Sequence, residues 1–113
     1  MLPKKHRLNK NSDIKKVLHR GSGINTRYFK LFTLKDNQGE PYPKIAVVVS
    51  KKVSASAVRR HLYQRRVRGV FLKLIDKLPN RARIVVLVSP EIAKKGTTPK
   101  DLEKDLFNGF LKL

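Results

Sequence analysis

Ala57-Val58-Arg59-Arg60-His61-Leu62-Tyr63-Gln64-Arg65-Arg66-Val67-Arg68-Gly69-Val70-Phe71-Leu72-Lys73-Leu74 carries the longest helical periodicity in the chain. Tyr63, Val67, Val70, Phe71 and Leu74 recur at helical spacing and gather on one face. The pattern predicts a helix from Ala57 to about Leu78, stopped by Pro79 and Asn80. One apolar face needs a surface to bury it, and the flanking sequence offers a sheet. Upstream, Ile45 to Ser50 is a nearly continuous β-branched run. Downstream, Ile84 to Val88 is an apolar run of the kind covered on both faces.

Further upstream, Tyr28 to Leu34 reads as another strand, and Asp36 to Pro43, with Asn37, Gly39, Pro41 and Pro43, as the loop that follows it. Near the N-terminus, Asn11 or Ser12 can cap a short helix whose apolar positions are Ile14, Val17 and Leu18; Gly21 and Gly23 end it. Past Val88, Ser89 and Pro90 start a short helix that Gly96 ends. Thr98, Pro99 and Asp101 then begin a last helix with Leu102, Leu106, Phe107 and Phe110 as its stripe. The predicted order is helix, two or more strands, helix, strand, helix. No repeat or linker divides the chain, so residues 1–113 read as one domain.

The charge is lopsided: 27 Lys and Arg against 8 Asp and Glu give +19 over 113 residues. Such a field repels itself in a compact fold and calls for a polyanionic partner. Without cysteine there are no disulfides, thiolate metal sites or cysteine nucleophiles. Met1 to Lys10 has cations but no apolar segment behind them, so a secretory signal is not expected, and no run reaches the ~18 apolar residues of a membrane span. A cytoplasmic protein with no membrane partner is the expectation.

No acid stands between Glu40 and Asp76, while Lys44, Lys51, Lys52, Arg59, Arg60, Arg65, Arg66, Arg68 and Lys73 do. On the long helix His61, Arg65 and Arg68 follow one another at i, i+4 and i+7, away from the apolar face, with Arg66 and Lys73 beside them. A merely solvated face mixes both signs; this one has no acid to relieve its repulsion. Guanidinium forks suit phosphate oxygens and base faces, so nucleic acid is the expected ligand. Arg27 to Phe32 interleaves rings with cations, which fits either base stacking or core packing. Because strand neighbours face opposite ways, Phe29 and Phe32 cannot share one face, and at least one should be buried. His6, His19 and His61 have no acid nearby, and Asp101, Glu103 and Asp105 alternate with lysines at a helix start, where the dipole explains them. No phosphate-binding glycine loop is present.

These residues resemble the protein subunit of bacterial ribonuclease P, in which a catalytic RNA removes 5′ leaders from precursor tRNAs. The likeness lies in Arg7-Leu8 and the segment to Gly21, in Val49-Ser50-Lys51-Lys52-Val53 joined to the arginine-rich helix, and in Ile84 to Val88. It implies a two-layer α/β sandwich of order αβββαβα with a left-handed crossover, as in the second domain of a small-subunit ribosomal protein. The family's Arg-Asn-Arg motif aligns with Arg60-His61-Leu62, which places a histidine, a leucine and then Gln64 where an amide and two cations stand. The acid-free field and the resemblance together point to Lys51, Lys52, Arg59, Arg60, His61, Arg65, Arg66, Arg68 and Lys73 as the residues that bind RNA. It further implies that Ile14, Leu18 and Phe32 line a cleft for the leader, the first two at positions that are aromatic in the family. No catalytic or metal-ligating residue is implied in the protein; Mg²⁺ would serve the RNA. The partners would be ribonuclease P RNA and precursor tRNA. A ribosomal or other structural RNA-binding protein is the main rival; a helix-turn-helix DNA binder and a self-sufficient nuclease fit less well.

If about six phosphates are neutralised, the logarithm of RNA affinity falls with that of salt at a slope of several units. A salt titration of binding checks this, and a flat profile contradicts it.

Overall fold

The computed structural model describes residues 4–37, 39–93 and 98–111. Its elements are α1 (Asn11–Arg20), β1 (Ser22–Asn25), β2 (Phe29–Lys35), β3 (Lys44–Val48), α2 (Ala57–Leu74), β4 (Ala82–Val88) and α3 (Pro99–Leu111). Single 3-10 turns lie at Lys4–His6, Ile75–Lys77 and Pro90–Ala93. The strands form one mixed sheet in the order β1-β2-β4-β3, with β3 and β4 parallel and the other pairs antiparallel. The crossover between the parallel strands is α2, so the order is αβββαβα.

The apolar run of β4 puts it inside the sheet, where every residue but Leu87 is buried. Alternation sorts its side chains. Ile84, Val86 and Val88 join Phe29, Leu31, Ile45 and Val47 under Val67 and Phe71 of α2 and Leu102 and Leu106 of α3. Val85 and Ala46 face the other way, under Val17 of α1 and Leu8. Two helices thus cover one face of the sheet, and one short helix covers part of the other.

Several boundaries differ from the sequence reading. Neither Asn11 nor Ser12 caps α1: the extended Lys10 is the N-cap, its carbonyl accepting from the Ile14 N–H at 3.1 Å, with no side-chain bond. Gly21 is the C-cap, and a Cβ there would lie 2.5 Å from the Val17 carbonyl oxygen. Gly23 does not end the helix. It belongs to β1, opposite Phe32, whose ring fills the space a side chain would need. Ser22–Asn25 has little strand propensity and becomes a strand by pairing with β2. The third strand spans Lys44–Val48 rather than Ile45 to Ser50, because the chain turns at Ser50, where the Val53 N–H bonds its carbonyl. The long helix tightens to 3-10 geometry after Leu74, and Leu78 before the proline is buried. On α3, Leu102 and Leu106 are buried but Phe107 is 40% exposed, with Lys77 Nζ 5.8 Å from its ring centroid. Gly96 and the Phe110 side chain lie outside the described residues.

Acids do structural work. At the start of α3 the Thr98 N–H donates to Asp101 Oδ2 and the Asp101 N–H to Thr98 Oγ1, a capping box that holds the Asp101 carboxyl below its ordinary range. Arg83, buried on β4, donates to the Tyr42 and Glu40 carbonyls and lies 3.7 Å from both the Asp36 and Glu40 carboxylates, which pins the loop before β3. Arg81, at φ 64°, donates its N–H to the Pro41 carbonyl and its guanidinium to Asn37 and Gly39, so the docked loop offsets the left-handed backbone. Asp105 of α3 accepts from Thr26 Oγ1 at 2.6 Å, the Tyr28 N–H at 2.9 Å and the Arg27 N–H at 3.2 Å, clamping the helix to the β1–β2 turn. Asp105→Ala strands those donors and should cost about 2–3 kcal/mol of stability in urea unfolding, with RNA affinity unchanged for the folded protein.

Candidate nucleic-acid interface

The basic stretch begins at the turn after β3. Buried Val53 anchors it, leaving Lys51 and Lys52 exposed. Ser56 caps α2 by accepting from the Arg59 N–H at 3.3 Å. Arg60 turns back, its Nη1 donating to the Ser54 and Ala55 carbonyls at 2.9 and 3.0 Å. It ties the lysine turn to the helix, a framework task that sequence spacing does not show. Gln64 donates to the Val47 carbonyl at 2.9 Å and so closes the outer edge of β3.

His61, Arg65, Arg66 and Arg68 come together with Leu62 and Arg7 around an open groove of about 630 Å³ with no acid in its lining. Arg7 was not among the site residues read from the sequence. It arrives because the N-terminal segment bridges to β3 at Ile45, with the Leu8 N–H donating to the Ile45 carbonyl at 2.8 Å. Burial, and then repulsion from Arg7, draws the Arg68 guanidinium below its ordinary value. The groove therefore concentrates like charge in a partly desolvated place, which an anion relieves. Arg59 is exposed beside it. Lys73 stands apart: Glu103 of α3 comes within 3.6 Å of its ammonium, an acid that the local sequence does not reveal.

The second feature lies on the sheet face that α1 only partly covers. Ile14 and Leu18 of α1 and Phe32, Leu34 and Leu87 of the sheet are all half-buried there, packed on Leu8, Val17, Ala46 and Val85. The three cleft residues read from the sequence thus share one apolar floor. Strand alternation adds Val48, 37% exposed, and Lys30, whose ammonium is 5.3 Å from the Phe32 ring centroid. Phe29 faces the other way and is buried with Tyr28 in the main core. Leu87 and Val48 could have been found from the alternation of their strands had the pairing register been known. Among the described residues no three carboxylate or imidazole groups converge as metal ligands, and no helix is long and apolar enough to cross a membrane.

Comparison with known proteins gives one answer. The family described as Ribonuclease P matches residues 2–113. The ribonuclease P protein component of Pseudanabaena sp. is 36% identical over 108 residues, 96% of this chain and 90% of that one. That of Acidothermus cellulolyticus is 34% identical over 111 residues, covering 98% and 92%. The solved RNase P protein of Thermotoga maritima has the same fold, with a TM-score of 0.83 at 22% identity over 95% of this chain and 96% of its own.

The groove separates two kinds of arginine. Arg65→Ala and Arg68→Ala should each weaken RNA binding by about 1 kcal/mol or more, as loss of a charged hydrogen bond does, without lowering the melting temperature. Arg60→Ala should lower the melting temperature. Paired melting and binding curves check both.

Proposed function

The chain belongs to the ribonuclease P protein family, and on that premise we propose that two surfaces divide its work: the α2 groove grips the RNA subunit, and the α1–sheet cleft receives the 5′ leader of precursor tRNA. Membership in the family removes the ribosomal alternative. The observation that carries the division is the meeting of Ile14, Leu18 and Phe32 on a half-open apolar floor, on the opposite side of the sheet from the core beneath α2. A floor of that kind accepts the faces of unpaired bases, and Lys30 beside Phe32 meets the phosphates between them. The groove, with its guanidinium forks and no acid, suits the denser phosphate array of a folded RNA.

In this reading the protein performs no bond cleavage. Phosphodiester hydrolysis belongs to the RNA, with Mg²⁺ held there. What the protein contributes is neutralised charge and a held leader, which lowers the entropy of presenting the scissile bond. The setting is the cytoplasm.

The cleft assignment is tested by giving it a ring. Leu18 is half-buried on the cleft side of α1, and an aliphatic side chain recovers only part of the ~1–3 kcal/mol of a stacked base. Leu18→Phe should therefore raise affinity for precursor tRNA about threefold or more, with mature tRNA unchanged. Lost stability without that gain, the mark of an overpacked site, would count against the cleft.

A further inference from the structure

Five glycines have a described surround, and at four of them other atoms of the chain crowd the place of a side chain. A Cβ at Gly21, Gly23, Gly39 or Gly109 would come within 2.5 to 2.9 Å of other atoms of the chain. At Gly69 a Cβ would meet nothing within 4 Å. Yet Gly69 lies well inside α2, where glycine is the poorest residue after proline. The fold gains nothing from it.

Its neighbours on the helix surface suggest what does. At about 100° per residue, Val58, Leu62, Arg65, Gly69 and Leu72 fall on one line, opposite the buried Tyr63, Val67, Val70, Phe71 and Leu74. Val58 is 81% exposed, Leu62 40% and Leu72 36%. Apolar side chains therefore occupy both sides of α2, and the outward row is interrupted by a bare patch of backbone. Arg59 and Arg66 border this row on one side, followed by Lys73 with Glu103 of α3 3.6 Å from its ammonium, and His61 and Arg68 border it on the other.

We propose that this outward face of α2 is a close-contact seam on which the RNA subunit's sugar–phosphate backbone lies directly against Gly69. The inference rests on the reading that α2 binds that RNA, and it specifies how. Two cationic rows flanking a strip that is apolar except at Arg65 complement the wide, shallow groove of an A-form helix, where phosphate strands border a floor of ribose 2′-hydroxyls and base edges. The arginines meet the phosphates. The riboses pack on Leu62 and Leu72, and the missing side chain at Gly69 lets them approach to the level of the helix backbone. A second copy of the chain is the other conceivable occupant, but two such faces would bring their arginine rows together, and like charges disfavour it.

The test pairs stability with binding, using a transcribed bacterial ribonuclease P RNA as the probe and Gly69→Ala, Gly69→Met and Arg65→Ala as the variants. Gly69→Ala should melt above the wild type, because alanine favours the helix and meets no atom. It should bind the RNA about five- to tenfold more weakly, the lower range of what overpacking a close contact costs, and Gly69→Met more weakly still. Unchanged affinity in both glycine variants, with Arg65→Ala weakened, overturns the seam and leaves α2 as the RNA-binding helix. Unchanged affinity in all three removes α2 from the interface and the seam with it. A lower melting temperature for Gly69→Ala would show that the space is filled within the chain and also overturns the proposal. So would a wild-type dimer in sedimentation that Gly69→Ala dissolves, since the face would then belong to a second copy.

Discussion

A strand bonded on both sides and buried on both faces is the constraint from which the rest of this structure follows. Ala82–Val88 pairs with β2 on one side and β3 on the other, and its alternating residues need apolar cover above and below the sheet. The parallel pairing demands a long crossover, and α2 supplies it. With α2 and α3 committed to one face, the other is left to a ten-residue helix. Ten residues do not cover it, and the half-open floor around Phe32 is what remains.

The second organising fact is where the few acids go. Asp36 and Glu40 flank Arg83, Asp101 closes the start of α3, Glu103 meets Lys73, and Asp105 clamps the β1–β2 turn. These carboxylates hold pieces of the chain together, and none of them lines the α2 groove. With those acids engaged in internal joints, the groove lining is left without a carboxylate, so the positive field is not diffuse. It is concentrated where Arg7 and Arg68 come close across the edge of β3.

Much of this could be read from residues alone. The buried face of α2 needed only helical periodicity, because Tyr63, Val67, Val70, Phe71 and Leu74 have no competing explanation. The burial of β4 followed from an uninterrupted apolar run. What escaped were features made by contact between distant segments. Ser22–Asn25 is a strand because β2 is beside it, and Arg7 lies at the groove because Leu8 bonds β3 some forty residues on. Arg60 and Gln64 look like members of a polar helix face but are occupied by backbone carbonyls. Phe107 fitted the stripe of α3 by spacing, and it stands half out of the protein because Leu102 and Leu106 already fill the core there.

The closing of β3 has a consequence for self-association. On its outer border Gln64 takes the Val47 carbonyl and Leu8 takes that of Ile45, so this margin offers little template for another chain. The opposite margin is β1, four residues long. Open-ended stacking of sheets needs two receptive borders per molecule, one to receive and one to be received. A molecule with a single short receptive border can at most form a closed pair, so a highly basic protein at high concentration is protected from fibre growth by the geometry of its sheet as well as by its charge.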